Sequence, residues 1–166
     1  MSDTTLVLGG ARSGKSIAAE RLLSQEPDVL YVATGGTDSG NAEWATRIAK
    51  HQARRPSSWG LAETIDLVPL LESPGPPLLI DCLTLWLTNL MLGDHVRATA
   101  FVELEAAIHD APGPVVLVSN EVGLSIVPEN ALARVFRDEQ GRLNQHMARI
   151  ADRVIFMVAG LPMVVK

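Results

Sequence analysis

Short apolar runs recur along the chain and alternate with polar, glycine-rich or proline-rich segments. These runs contain few charged residues, which is typical of strands buried on both faces of a parallel sheet. A weaker apolar run at 59–63 predicts an edge strand, and another at 163–166 predicts a final strand. The main strands are predicted at 6–8, 29–33, 78–81, 115–118 and 154–158.

The segments between these runs carry apolar residues at the spacing of a helix face. One helix is predicted to start at Lys15, directly after a glycine-rich turn, and a short helix at 64–71 is predicted to be capped by Thr64 or Asp66. Strands that alternate with helices predict an α/β fold, in which a mostly parallel sheet is covered by helices on both faces. The longer helices are predicted at 41–53, 83–91, 96–109 and 131–151.

Composition narrows the class of protein. The chain has 166 residues, 47% of them hydrophobic, which predicts a single domain over 1–166. The net charge of −5 argues against a nucleic-acid partner, because such partners require a basic surface. Cys82 is the one cysteine, so the sequence predicts no internal disulfide. The longest apolar stretch, 78–92, is interrupted by polar residues and no signal peptide is recognisable, so we expect a cytoplasmic protein without a membrane span.

The glycine-rich turn after the first strand matches the P-loop pattern, with four residues between Gly9 and Gly14 and then Lys15 and Ser16. Glycine lets the backbone approach a phosphate closely, and a helix that starts here directs its unpaired N–H groups at the anion. Lys15 is predicted to reach the β and γ phosphates of a nucleotide, and Ser16 to hold Mg²⁺. The predicted phosphate-binding residues are Gly9, Gly10, Ala11, Arg12, Ser13, Gly14, Lys15 and Ser16.

Other polar residues follow predicted strands at the edge of the sheet where ligands bind in open α/β folds. Thr34 and the glycines after it end the second strand, and Asp81 ends the strand at 78–81. In P-loop proteins, an acidic residue at the end of a second strand helps to hold Mg²⁺, and Asp81 occupies such a position. The alternative is that Asp81 caps the N-terminus of the following helix. Asn120 and Glu121 are candidates to position a hydroxyl or a water, or are simple turn residues.

His51 lies near the end of the helix predicted at 41–53, with arginines around it. Arg47 is four residues earlier and therefore shares a helix face with His51. A histidine beside several cations is usually a solvated surface residue. The alternative is that the arginines hold phosphates while the imidazole attacks one of them, and the residues alone leave both possibilities open.

Further motifs accompany the P-loop in a fixed order along nearly the whole chain. They are Tyr31-Val32-Ala33-Thr34, Arg47-Ile48 followed by His51 and Arg54-Arg55-Pro56, Trp59 with Glu63, Asp81-Cys82-Leu83-Thr84 with Thr88-Asn89-Leu90, Ser119-Asn120-Glu121-Val122-Gly123, and Leu143-Asn144-Gln145. A P-loop alone marks a superfamily. The ordered set resembles one family, the bifunctional adenosylcobinamide kinase/adenosylcobinamide-phosphate guanylyltransferases of cobalamin synthesis, known as CobU or CobP.

The resemblance implies two reactions. In the first, ATP or GTP phosphorylates the hydroxyl of the aminopropanol arm of adenosylcobinamide. In the second, GTP gives its GMP moiety to a histidine, and adenosylcobinamide phosphate takes it up to form adenosylcobinamide-GDP. The family's guanylylated histidine lies in the Arg-Ile-x-x-His segment ahead of Arg-Pro, so the resemblance implies that this residue is His51.

The resemblance also implies a RecA-like P-loop sheet and a homo-oligomer, with trimers common among related proteins. His51 and Lys15 are expected to be catalytic, and Ser16 and Asp81 to bind the metal. Nucleotide contacts carry over to Gly9 through Ser16, Thr34, Gly35, Gly36, Gln52, Ala53, Arg54, Arg55, Glu63 and Asp81.

The chain departs from the family pattern before and after the histidine. Asn41-Ala42-Glu43-Trp44 stands where the family often has Asp-x-Glu-Met, and Gln52 stands where it often has a basic residue. Two other functions also fit the P-loop. The first is a kinase of another small alcohol, with His51 structural, and the second is a nucleotide-binding regulatory module without chemistry.

Overall fold

The computed structural model describes residues 3–35, 55–93 and 97–166. In these parts of the chain, seven strands form one sheet, in the order β3-β2-β4-β5-β1-β6-β7. All neighbouring strands are parallel except β6 and β7, which are antiparallel. The strands are β1 (Thr4–Gly9), β2 (Leu30–Ala33), β3 (Gly60–Glu63), β4 (Leu78–Asp81), β5 (Val115–Asn120), β6 (Arg153–Val158) and β7 (Leu161–Val164).

The order of the strands explains where a ligand site can form. β1 lies inside the sheet between β5 and β6, and β4 lies on the other side of β5. Because these strands are parallel, their carboxyl ends meet at one edge. Gly9 is opposite Asn120, and Asp81 is opposite both Ala33 and Val118. The glycine-rich turn and the acidic strand end therefore share an edge, as the sequence predicted.

Helices cover both faces of the sheet, which confirms the predicted α/β class. Leu6, Leu117 and Val32 point to a core shared with the helices that follow β4 and β5, whereas Val7 and Val118 point to a core that includes the first helix. This alternation along neighbouring strands is the side-chain period of a strand. The described helices are α1 (Lys15–Leu22), α2 (Val68–Glu72), α3 (Leu83–Leu92), α4 (Arg97–Asp110) and α5 (Ala131–Ile150).

Helix α5 has well-defined ends. The Asn130 side chain accepts hydrogen bonds from the backbone N–H groups of Leu132 (2.8 Å) and Ala133 (3.2 Å), as an N-cap does. At the other end, the Lys166 ammonium donates to the carbonyls of Arg149 (3.0 Å) and Ala151 (2.6 Å). A cation at this position satisfies carbonyls without helical partners and matches the negative end of the helix dipole.

Two predicted elements differ from the structure. The short helix begins at Val68 rather than Thr64, because the Thr64 hydroxyl accepts a bond from the Asp66 N–H and forms a local turn, and no side chain caps the helix. The final strand runs over Leu161–Val164 rather than 163–166. Pro162 is tolerated there because β7 lies at the edge of the sheet. The helix predicted at 41–53 lies outside the described residues.

Trp86, in α3, is a core residue. It is 4% exposed, and its indole N–H donates to the carbonyl of Ile65 over 2.9 Å. Its ring lies 6.1 Å from that of Phe101 in α4, so α3 and α4 pack through aromatic contact. Within the described ranges, no helix combines the length and the apolar character required to cross a membrane.

Candidate functional site

The P-loop connects β1 to α1, as its sequence predicted. Gly14 has φ +90°, a left-handed conformation that glycine adopts without strain, and α1 starts at the next residue, Lys15. The Lys15 side chain folds back over the loop, where its ammonium donates to the carbonyl of Gly10 over 3.1 Å, and the residue is only 7% exposed. A positive side chain and a helix N-terminus therefore meet at one point, which is the arrangement of an anion-binding loop.

Distant segments support this loop from two sides. The carbonyl of Ser13 accepts a hydrogen bond from Gly160, in the turn between β6 and β7, over 3.1 Å. The carbonyl of Gly9 accepts one from Glu121, after β5, also over 3.1 Å. Sequence reasoning missed the role of Gly160, because no local pattern relates the end of the chain to its first turn.

The two consecutive glycines of the loop provide a matched test. A Cβ at Gly9 would overlap the Ser13 hydroxyl and lie 3.1 Å from the Met157 carbonyl, whereas a Cβ at Gly10 would meet no atom within 4 Å. We expect Gly9→Ala to lower the free energy of unfolding by about 1–3 kcal/mol through overpacking. Gly10→Ala should change it by less than about 0.5 kcal/mol. Urea unfolding of both variants measures the difference, and equal losses would contradict this account.

One polar atom of the loop has no hydrogen-bond partner within the described residues. The Ser13 hydroxyl is buried, and Ser13 as a whole is 8% exposed. A buried hydroxyl without a partner costs about 1–3 kcal/mol, so such atoms often mark the position of a ligand or water. This observation fits a phosphate in the loop.

Asp81 ends β4 and does not cap α3. The residue at the N-cap position is Cys82, so the alternative role considered for Asp81 is wrong. Instead, Asp81 Oδ2 accepts a hydrogen bond from the Tyr31 hydroxyl over 2.9 Å. Among the described side chains and backbone groups, none donates to Oδ1. Within the described residues, the carboxylate is therefore held through Oδ2.

The residues predicted to hold Mg²⁺ have suitable chemistry. Ser16 contributes a hydroxyl from the first turn of α1, and Asp81 a carboxylate from the end of β4. Oxygen donors of this kind, completed by water and phosphate oxygens, are what Mg²⁺ prefers. In the part of the chain that is described, no cluster of three or more histidine, cysteine or acidic side chains is present. The site therefore fits an ion held largely by nucleotide and water.

Tyr31 connects two residues of the predicted site. Burial, and next the nearby charge of Asp81, raise the pKa of the Tyr31 hydroxyl well above its usual value, so it stays protonated and donates. The guanidinium carbon of Arg55 lies 3.5 Å from the centroid of the Tyr31 ring, in a cation–π contact. Arg55 and Asp81 therefore contact the same aromatic side chain.

Thr34 joins the ends of two neighbouring strands. Its side chain is fully buried, its hydroxyl donates to the Cys82 carbonyl (2.6 Å) and accepts from the Cys82 N–H (3.0 Å), and its own carbonyl accepts from Asn89 (2.8 Å). These bonds join the end of β2 to the end of β4 and so place Gly35 at the edge, where the predicted nucleotide contact of this segment stays a prediction.

Cys82 lies beside this bond and is not a nucleophile. Burial, and next the Asp81 carboxylate, raise the pKa of its thiol to about 11, while Lys15 partly opposes the rise. The thiol is therefore neutral at physiological pH.

The remaining predicted residues fall into two groups. Glu63 ends the edge strand β3 opposite Ala33, is exposed, and shares the carboxyl edge with Asp81 and Gly35. The second group lies outside the described residues and consists of Gly36, His51, Gln52, Ala53 and Arg54.

Sequence reasoning missed a buried polar cluster beneath the loop that follows β5. The Asn144 side chain accepts from the Ser119 hydroxyl (2.7 Å) and from Gln140 (3.0 Å), and donates to the Asn120 carbonyl (3.0 Å). The Asn120 N–H in turn donates to the Thr84 hydroxyl (2.8 Å). The backbone at Asn120, next to Gly9, is thus held from both sides. Polar residues on an amphipathic helix normally face solvent, so the sequence contained no signal for Gln140 and Asn144 as buried residues.

The chain matches known proteins over nearly its whole length. The family model described as cobinamide kinase / cobinamide phosphate guanyltransferase, CobU, matches residues 5–165. The bifunctional adenosylcobalamin biosynthesis protein CobP of Pseudomonas aeruginosa is 48% identical, covering 97% of this chain and 96% of that protein. The corresponding CobU proteins of Salmonella typhimurium and Escherichia coli are 41% and 38% identical, each covering 97% of this chain and 98% of the relative.

The fold is shared more widely. A prototypical ATPase of a bacterial type III secretion system superposes with a TM-score of 0.58, covering 98% of this chain and 56% of the ATPase, at 12% identity. That likeness concerns the fold alone and agrees with the predicted RecA-like sheet. The family match and the full-length relatives identify the chain as a member of the CobU family, a bifunctional cobinamide kinase and cobinamide phosphate guanylyltransferase of adenosylcobalamin biosynthesis.

Proposed function

We propose that both reactions use the P-loop, and that His51 carries the guanylyl group from GTP to the phosphorylated substrate. The observation that carries this proposal is that Lys15, the N-terminus of α1 and Asp81 share one edge of the sheet. That edge is where open α/β sheets bind nucleotides.

In the kinase step, the hydroxyl oxygen of the substrate's aminopropanol arm attacks the γ phosphorus of ATP or GTP. A new P–O bond forms, the bond between the γ phosphorus and the bridging oxygen breaks, the nucleoside diphosphate leaves and the hydroxyl loses its proton. The N–H groups of the P-loop orient the phosphates, and Lys15 stabilises the charge that develops on them. Mg²⁺, held by Ser16 and Asp81, supplies further neutralisation of the phosphate oxygens.

In the guanylyl step, a neutral imidazole nitrogen of His51 attacks the α phosphorus of GTP. A P–N bond forms and pyrophosphate leaves. A phosphate oxygen of adenosylcobinamide phosphate then attacks the same phosphorus, which frees His51 and yields adenosylcobinamide-GDP. Histidine suits this role because a large fraction is neutral at pH 7 and because the phosphoramidate is reactive enough to pass the group on.

Nucleotide contacts by Thr34, Gly35, Gly36, Gln52, Ala53, Arg54 and Glu63 remain part of this proposal. Arg55 supports it, because its guanidinium lies on Tyr31 beside Asp81.

The test is to trap the intermediate. The protein is incubated with Mg²⁺ and GTP labelled at the α phosphate, then denatured, and the bound label is measured. We expect label that survives denaturation and base but is lost in acid, as a phosphoramidate is. Adenosylcobinamide-GDP formed at the normal rate without any bound label would contradict the covalent route.

We also propose that the chain forms a homo-oligomer. Its support is an exposed apolar surface on the edge strand β7 and the loop before α5. Leu161 and Val164 are 71% and 60% exposed, and Ile126 is 93% exposed. Open strand edges and apolar patches of this kind are commonly covered by another chain. Light scattering of the purified protein measures its mass in solution and therefore its oligomeric state.

A further inference from the structure

Tyr31 is a buried residue to which neither the sequence motifs nor the family reactions assign a task. It is 5% exposed and lies in β2, opposite Leu79 of β4. Asp81 is two residues beyond Leu79, so it projects from the same face of the sheet as Leu79 and Tyr31. The Tyr31 ring therefore lies beneath the carboxyl edge at which the P-loop and Asp81 meet.

The hydroxyl end of Tyr31 fixes the Asp81 carboxylate. The 2.9 Å bond goes to Oδ2, and it is the only hydrogen bond to this side chain from the described part of the chain. A carboxylate held at one oxygen cannot rotate freely, so the direction of Oδ1 is set before any ligand arrives. A ligand oxygen that is already oriented costs less conformational entropy when it binds a metal.

The face of the same ring supports Arg55. The guanidinium carbon lies over the ring at 3.5 Å from its centroid, well within the distance of a cation–π contact. A guanidinium stacked on an aromatic ring keeps its N–H groups directed outward in one plane, where they can pair with phosphate oxygens. The ring and the hydroxyl therefore act on different partners.

We propose that Tyr31 is a positioning residue that aligns Asp81 through its hydroxyl for the metal of a metal–nucleotide complex and Arg55 through its ring for the phosphates. This inference rests on the proposed function, in which Asp81 helps to hold Mg²⁺ and Arg55 contacts the nucleotide. It predicts that the two tasks can be separated by substitution, because one depends on an oxygen and the other on a ring.

Tyr31→Phe removes the hydroxyl and keeps the ring. We expect it to weaken metal binding to the protein–nucleotide complex about 10-fold, the effect of a hydrogen bond to a charged group. Nucleotide affinity without metal should be unchanged. Tyr31→Leu removes both features, and we expect it to weaken metal-free nucleotide binding about 5-fold as well. Phenylalanine thus rescues the Arg55 contact but not the Asp81 contact.

The binding experiment uses Mn²⁺ and a non-hydrolysable imido analogue of GTP. Free Mn²⁺ is counted by its EPR signal, and nucleotide affinity in EDTA is measured by calorimetry. Val29→Ala is the matched control. Val29 directly precedes β2, is buried in the same core cluster as Tyr31 and lies two residues before it, so its substitution weakens the same core and should leave metal affinity unchanged.

A second readout follows from the composition, since Tyr31 is the one tyrosine of the chain. Protein labelled with ¹³C at the tyrosine ζ carbon gives a single resonance that reports this hydroxyl. We expect the resonance to shift when Mg²⁺ is added to the nucleotide complex, and to shift little when nucleotide is added alone. Neither readout depends on turnover.

The outcomes separate the two proposals. If the wild-type protein binds no metal–nucleotide complex at all, the proposed function of the P-loop fails. If the wild type binds it but Tyr31→Phe binds metal equally well, or the tyrosine resonance does not move, the positioning role of Tyr31 is overturned. A Tyr31→Phe variant that loses metal-free nucleotide affinity as strongly as Tyr31→Leu would also overturn it.

Discussion

Replacing His51 by alanine is expected to abolish guanylyl transfer and leave most of the kinase activity. The loss in guanylyl transfer should be roughly 10⁴- to 10⁶-fold, the scale seen when a covalent nucleophile is removed. The kinase step attacks a different phosphorus and uses the substrate's own hydroxyl, so it does not require the imidazole. Both rates can be followed in one preparation, by the formation of adenosylcobinamide phosphate and of adenosylcobinamide-GDP.

A second histidine supplies the control. His109 is at the end of α4, its side chain is 76% exposed, and its Nδ1 lies 2.8 Å from the Asp110 carboxylate. His109→Ala should therefore retain both activities and the protein-bound label from GTP. If His51→Ala lowered both activities by the same factor, the proposal that His51 serves only guanylyl transfer would be contradicted.

Replacing Lys15 by alanine is expected to damage both reactions. Lys15 is the ammonium that lies over the P-loop, with its Nζ 3.1 Å from the Gly10 carbonyl. Removal of one preorganised charge that faces a phosphoryl group costs roughly 10²- to 10³-fold in kcat. Nucleotide affinity should also fall, because the ground-state phosphates lose the same partner. Steady-state kinetics and calorimetric titration with the imido analogue of GTP measure the two effects.

Arg21 is the matched control for Lys15. It is an exposed cation in the last turn of the same helix, α1, away from the N-terminal turn that we propose binds phosphate. Arg21→Ala changes the net charge by the same amount and should leave kcat and affinity as they are. Unchanged turnover and affinity in Lys15→Ala would count against the P-loop as the phosphate site.

The contrast between His51 and Lys15 also separates this protein from simpler P-loop proteins. A kinase of another alcohol would lose activity in Lys15→Ala and be indifferent to His51→Ala. A regulatory module would bind nucleotide without turnover. Neither alternative accounts for the match to the bifunctional family over residues 5–165.

The P-loop could be predicted from the sequence because its chemistry is local. A loop that binds phosphate through its own backbone needs glycine at fixed positions and a helix directly after it, so the whole device lies within a few consecutive residues. The strand before it, the left-handed Gly14 and the start of α1 at Lys15 are as predicted. The ends of β4 and β5 were also predictable, because strand alternation with helices fixes which ends share an edge.

Other contacts of the site could not be predicted from the sequence, because the residues that make them are distant from one another along the chain. No pattern in the sequence indicates that the Thr34 hydroxyl pairs with the backbone of Cys82. Tyr31 was one residue of a motif, and only its bond to Asp81 and its contact with Arg55 give it a task. Each of these contacts crosses from one strand to another, and no pattern within a single segment encodes such a pairing.

The sequence by itself determined the class of this protein: an α/β sheet, a P-loop between its first strand and helix, and membership of a family with two reactions. Those properties follow from periodicity and from motifs whose function is local. The tertiary structure decided which side chains support the site, since burial and distance depend on how strands are ordered. The order β4-β5-β1 places Asp81, Asn120 and Gly9 at one edge, and it decides which polar groups are buried there and which remain for a ligand.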